Sequence, residues 1–239
     1  MGNLVIVRHG ESQWNRENRF TGWTDIDLTA NGIQQARNAG RALADAGLRF
    51  DLAITSVLKR TIRSQWLMLD EMDAMYIPVI SHWRLNERHY GALTGHSRAE
   101  MSARFSEEQV WKWRRDFDSQ PPLMDADDPR APWRASRYQG IPHEYLPLGE
   151  SLAQTVERVR VFWDDVIAPT LRQDRSVIIS SHGNSQRALV KLLEDMPDEE
   201  VARFDVPNSV PLVYKLDTGL RVLSRSSMNI PHPEMSAIL

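Results

Sequence analysis

Two short apolar runs, at opposite ends of the chain, constrain the fold more than anything else in it. Leu4-Val5-Ile6-Val7 stops abruptly on Arg8-His9-Gly10, and Val177-Ile178-Ile179 leads through Ser180-Ser181 to His182-Gly183-Asn184. Each run has the length and β-branched content of a buried strand. Each delivers a histidine at its carboxyl end, the edge at which open α/β sheets bind ligands. The two ends therefore predict one paired site.

Bulk properties set milder limits. A chain of 239 residues can bury a sizeable core as one large domain or two small ones. A formal charge of −3 gives no general affinity for nucleic acid or an anionic membrane surface. The absence of Cys excludes disulfides and thiol chemistry and fits a reducing compartment. No basic leader followed by a long apolar stretch is seen, and no apolar run reaches the ~20 residues that span a bilayer. The expectation is a cytoplasmic protein with no nucleic-acid or membrane partner.

The pattern along the chain alternates strands with helices. Helices are expected over Asn31–Ala46 (with Gly47 as the stop), Val57–Met72, from Ser106 through Trp111, Trp113 and Phe117, and Gln186–Glu194. Ser106 with Gln109, and Ser151 with Gln154, have capping-box spacing. The stripe Leu152, Val156, Val159, Phe162, Val166 and Ile167 has helical period, with Pro169 expected to end or kink that helix. Strands are expected at Leu52–Thr55, Tyr76–Ile80, Val210–Leu216 and Leu220–Ser224. Six prolines crowd residues 121–147, which reads as a surface insertion or flap. The expected fold is a single α/β domain over 1–239, with a mostly parallel central sheet and helices on both faces.

A neutral imidazole attacks phosphorus well and gives a labile phosphoramidate. Phosphoryl transfer also needs positive charge on the equatorial oxygens. Arg8, Arg60, Arg88 and the pair Arg114-Arg115 stand beside loops and element ends, and guanidinium forks suit phosphate. Gly10 and Gly183 would let backbone amides approach an anion. Glu87, among arginines, is the candidate acid/base. No HExxH or clustered ligand set suggests a metal.

The string Arg8-His9-Gly10-Glu11-Ser12-Gln13-Trp14-Asn15 resembles the phosphohistidine signature of the histidine phosphatase superfamily. More narrowly, the chain is similar to the cofactor-dependent phosphoglycerate mutases. That likeness runs through Asn18–Trp23, Thr55–Arg60, Leu85-Asn86-Glu87-Arg88-His89-Tyr90-Gly91-Ala92-Leu93, Trp113-Arg114-Arg115, Leu148–Leu152, His182–Ser185 and Pro211–Tyr214. It implies interconversion of 3-phosphoglycerate and 2-phosphoglycerate, primed by 2,3-bisphosphoglycerate and without metal. His9 would become phosphohistidine, His182 would hydrogen-bond the moving phosphoryl group, Arg8 and Arg60 would hold its oxygens, and Glu87 would move the substrate proton. Asn15 would anchor the reacting phosphoryl group. Thr21, Gly22, Arg88, Tyr90, Arg98, Arg114, Arg115, Gly183 and Asn184 would complete the substrate site. A homodimer or homotetramer is the assembly implied, with Tyr76–Ile80 as a candidate contact edge.

Four departures from the family pattern stand out. Arg98 replaces a usual Lys, Gln186 a hydrophobic residue, and Asn208-Ser209 a Thr-Gly pair. From about residue 225 the tail, Arg225 to Leu239, differs from the family's Lys/Ala-rich closing segment. A lid that excludes water is what separates a mutase from a phosphatase. The alternatives are thus a histidine phosphatase acting on small phosphorylated metabolites, or a catalytically silent binding protein.

Overall fold

The computed structural model describes residues 2–230. Six strands form one sheet in the order β3-β2-β4-β1-β5-β6, where β1 is Asn3–Arg8, β2 Leu52–Thr55, β3 Val79–Ser81, β4 Val177–Ser181, β5 Leu212–Leu216 and β6 Val222–Ser227. The pairs β3-β2, β2-β4 and β4-β1 are parallel, and β5 and β6 are added antiparallel. Alternate residues of the central strands face opposite helical layers. Val5, Val7, Ala53 and Ile178 pack under α2 (Ala30–Asp45) and α3 (Lys59–Glu71). Leu4, Ile6, Leu52, Ile54, Val177 and Ile179 pack under α6 (Leu152–Phe162), α7 (Ala168–Arg172) and α8 (Gly183–Glu194). Burial on both faces is why these strands read as unbroken apolar runs. The short helices α1 (Gln13–Arg16), α4 (Arg98–Phe105), α5 (Glu107–Arg115) and α9 (Asp198–Arg203) complete the chain. None of α1, α4 and α9 is expected from the pattern.

Several boundaries move for local reasons. Pro78 has no N–H for a ladder, so β3 begins after it rather than at Tyr76. The helix expected to reach Phe117 stops at Arg115, because Asp116 turns extended and its carboxylate accepts from the amides of Asp118 and Ser119. Pro169 neither ends nor breaks its helix. A π-helical turn, Trp163–Ile167, precedes it and seats it in the first turn of α7, where no donor is needed. Helix α8 starts at Gly183, three residues early, because the Ser185 hydroxyl accepts from the His182 amide as a cap.

Residues 121–147 hold three 3-10 turns, Pro132–Arg134, Ser136–Tyr138 and His143–Tyr145, anchored by a small cluster of Trp23, Trp83, Tyr138 and Leu146. Residues 231–239, including His232 and most of the divergent tail, lie outside the described residues. Up to Met228, whose amide donates to Pro211, the chain continues the β6 edge. Among the described residues no helix is long and apolar enough to cross a membrane.

Gly10 and Gly32 set the position of the first histidine. A Cβ on Gly10 would lie 2.1 Å from the Gly32 carbonyl, and one on Gly32 would lie 2.0 Å from that of Glu11. The Gly10 amide donates to Ser64 Oγ. Its lack of a side chain therefore serves the seating of α2 against the loop, not the approach of an anion. Substitution Gly32→Ala should cost about 2 kcal/mol or more through backbone displacement, read as a lower urea midpoint, and should also impair His9.

Candidate active site

Parallel pairing of β1 with β4 brings the two histidines together. The His9 amide donates to the Ser181 carbonyl at 3.0 Å, and the two rings meet edge to face with centroids 5.0 Å apart. Both are buried, and the His9 pKa is held well below the ordinary imidazole value by desolvation, then by Arg60 and Arg8. His9 is therefore neutral. Its Nδ1 donates to the Gly10 carbonyl at 2.7 Å, which leaves the Nε2 lone pair as the nucleophilic position.

His182 is also neutral, its pKa lowered by desolvation first and then by Arg60. Arg60 Nε donates to its Nδ1 at 3.2 Å, so Nε2 carries the proton and donates to Ser56 Oγ at 2.9 Å. The chain runs on from Ser56 to Thr61 Oγ1 and the Leu58 carbonyl. Both nitrogens of His182 are thus engaged within the protein. In this geometry the ring aligns Arg60, and the expected bond from His182 to a phosphoryl group would replace one of these contacts. Arg60 makes two further bonds, to the carbonyls of Gly22 and Thr24, and two of its five N–H groups remain. Burial, partly opposed by Glu87, lowers its pKa to about 10.

The cavity beside these histidines is lined by Arg8, His9, Asn15, Thr21, Gly22, Arg60, Glu87, Tyr90, Arg98, Arg114, Arg115, Gly183 and Asn184. Arg88 does not line it. Its fully buried guanidinium lies over the Tyr90 ring, 5.2 Å from the centroid. Gln186 is buried outside the lining with its Nε2 unpartnered. Glu87 Oε1 accepts from the Arg88 amide (2.7 Å), the Asn184 amide (3.1 Å) and Asn184 Nδ2 (2.9 Å). A Cβ on Gly183 would fall 3.7 Å from Glu87 Oε2 and 3.4 Å from Arg187 Nη1, both ordinary contact distances.

Three lining residues escape the sequence reading: Arg19, Phe20 and Arg187. Arg187 sits one turn after Gly183 on α8, and that spacing was the available signal. Seven arginines and one carboxylate line the cavity. Burial and then Arg115 push Arg187 down to about 9, and burial and then Arg98 push Arg114 down to about 10. Burial raises the Tyr90 phenol, but Arg88, Arg114 and the Asn184 bond outweigh it and lower the pKa. Such crowding of like charge is relieved by an anion. Among the described residues no three His, Cys, Asp or Glu side chains gather as a metal site.

Residues 4–226 match the histidine phosphatase superfamily, branch 1. The chain belongs to that superfamily. Its fold superposes on a mycobacterial glucosyl-3-phosphoglycerate phosphatase in complex with VO3, with a TM-score of 0.72 and 21% identity over 97% of this chain and 100% of that one. The α-ribazole phosphatase of Shigella flexneri gives 0.67 and 23% over 96% of both chains. YhfR of Bacillus stearothermophilus gives 0.68 and 20% over 98% and 96%. At these identities the likeness is one of fold.

The departures at 208 and 209 grip the nucleophile's strand. Asn208 Nδ2 donates to the His9 carbonyl at 2.7 Å and the Ser209 amide to that of Arg8 at 2.9 Å. Ser209 has φ +54° and a buried, unpartnered hydroxyl, a position glycine would fill without strain. Ser209→Gly should stabilise the protein by about 1 kcal/mol, a rise of about 2–4 °C in Tm, with the Asn208 contact retained.

Two further histidines make stability pH-dependent. Burial, then Arg158, lowers His89 to about 3, and burial, then Arg84, lowers His82 to about 4. Below the unfolded value of 6.5 the unfolded chain binds protons that the fold refuses, so stability falls with pH from there down to the folded values. His89 alone should remove about 2 kcal/mol between pH 6.5 and 5. Urea midpoints against pH check this, and His89→Asn should flatten the slope.

Proposed function

We propose that this chain carries phosphoryl groups on His9 between small metabolites bearing a second anion, and that it interconverts 3-phosphoglycerate and 2-phosphoglycerate. One observation carries the reading: seven arginines and a single carboxylate line the cavity beside His9. A monophosphate with no other charge would leave much of that excess uncompensated, while a phosphorylated carboxylic acid answers more of it. The sequence blocks around Glu87 and Arg114-Arg115 support the same assignment.

In this reading His9 Nε2 attacks phosphorus while the spare N–H groups of Arg8 and Arg60 carry charge on the equatorial oxygens. Glu87 Oε2 exchanges a proton with the substrate oxygen, its partner Oε1 being held by three donors. The donor set fits 2,3-bisphosphoglycerate, with Arg8, Arg60 and Asn15 at one phosphate and Arg98, Arg114 and Arg115 at the other. When bound, this primer would supply the phosphoryl group that loads His9. No step needs a metal.

The second reading is hydrolysis, in which water takes the phosphoryl group from His9. The phosphatase names of the solved structures sharing this fold favour it, and the excess of arginines over carboxylates in the cavity favours the first. Both pass through the same phosphohistidine. The test is 3-phosphoglycerate with trace 2,3-bisphosphoglycerate and no metal, following 2-phosphoglycerate and released phosphate together. Conversion should exceed release at least tenfold, and His9→Ala should abolish both. Steady release with little conversion would move the assignment to the phosphatases.

A further inference from the structure

The loop that carries Glu87 has no ladder of its own. It runs between two single 3-10 turns, Trp83–Leu85 and Gly91–Leu93. Its backbone is held instead by one guanidinium from α6. Arg158 donates to the carbonyls of Arg84 (2.6 Å), Asn86 (3.3 Å) and Glu87 (3.2 Å), and reaches that of Trp83 at 3.5 Å. Trp23 Nε1 donates to the same Glu87 carbonyl at 2.6 Å, with the Trp23 ring 5.4 Å from Arg158 Cζ. Glu150 completes the arrangement. Its carboxylate accepts from Arg158 Nε (2.6 Å) and Nη2 (2.9 Å), and from the His89 amide (2.8 Å), while its own amide donates to the His89 carbonyl at 2.8 Å.

The chain is therefore fixed on both sides of Glu87, by contacts that touch nothing in the cavity. The Glu150 and Arg158 side chains are only 4% and 6% exposed. A buried ion pair of this kind adds little stability over an apolar pair of the same size. What an apolar pair could not do is bind several carbonyls at once, and only the planar, five-donor fork of arginine matches them.

We propose that Trp23, Glu150 and Arg158 are positioning residues, a clamp that sets the Glu87 carboxyl for proton transfer. The inference rests on the reading of Glu87 as the proton donor. As the bond from His9 Nε2 to phosphorus forms, the ester P–O bond breaks and its electron pair stays on the leaving oxygen. Glu87 gives that oxygen its proton and is left as carboxylate. An alkyl ester needs the proton and a nitrophenyl ester does not, so the clamp acts on one and not the other.

The experiment measures the rate of phosphohistidine formation from 2,3-bisphosphoglycerate and from 4-nitrophenyl phosphate. The proteins are the wild type, Glu87→Gln, Arg158→Lys and Trp23→Phe. Trp23→Phe removes the Nε1 donor while keeping an aromatic ring and the buried ion pair, so it stands if Arg158→Lys fails to fold. The expected result is a loss of at least about tenfold with the alkyl donor in the clamp variants, with the nitrophenyl donor within about twofold. Parallel loss with both donors, or loss with neither, overturns the clamp as a positioning device and leaves it a folding element. Failure of the underlying reading appears separately: Glu87→Gln would then lose no selectivity between the donors, and the proposal would fall with it.

Discussion

The parallel pairing of β1 with β4 is the contact on which the rest depends. It joins residues 4–8 to 177–181, a separation across most of the chain, and places the carboxyl ends of both strands side by side. The loop from β1 and the amino end of α8 then open toward the same cavity. The antiparallel addition of β5 matters for the same reason, since the turn before it carries Asn208 and Ser209 onto the carbonyls of His9 and Arg8. The nucleophile is held from three directions: β4, the Gly10 carbonyl and the segment preceding β5. Pre-organisation of this kind is what a phosphoryl-transfer site needs most, because little of the chemistry falls to the protein beyond placement and charge.

Charge is the second constraint, and it conflicts with burial. Bringing seven arginines to one cavity costs stability through mutual repulsion and desolvation, which is why Arg60, Arg114 and Arg187 are all displaced downward. The fold offsets part of that cost with its own backbone. Backbone carbonyls partner several of the guanidinia, as with Arg8 at Val206, Arg187 at Phe204, and Arg60 at Gly22 and Thr24. Burial, and then the same field, keeps His9 neutral at ordinary pH, so the repulsion that burdens the fold also leaves this imidazole unprotonated.

The alternation of strands and helices, the meeting of the two histidine-bearing strand ends and most of the cavity's lining were legible in the sequence, because they rest on apolar periodicity and on strand-end motifs. The parts that escaped depend on contacts remote in the chain. Arg187 carries no motif of its own, and its place in the cavity depends on how α8 packs beside Glu87. By its motif Arg88 is a ligand contact, but the fold buries its guanidinium fully against the face of Tyr90, outside the cavity lining. Gly10 was read for anion binding, whereas its need comes from Gly32, twenty-two residues on. Pattern identifies which residues are chemical, and tertiary approach decides which way they face.

His182 shows how far that distinction reaches. A motif match assigns it to the phosphoryl group, and its position beside His9 agrees. Yet its tautomer is fixed by Arg60 on one nitrogen and the Ser56 hydroxyl on the other. A neutral ring accepting at Nδ1 draws the guanidinium into line and holds it, since Arg60 also binds two carbonyls of the loop that follows α1. The ring, the hydroxyl chain through Thr61 and the guanidinium form one hydrogen-bonded unit beside His9. The second histidine thereby aligns a cation, and its burial suits that arrangement, because a protonated His182 could not accept from Arg60 at all.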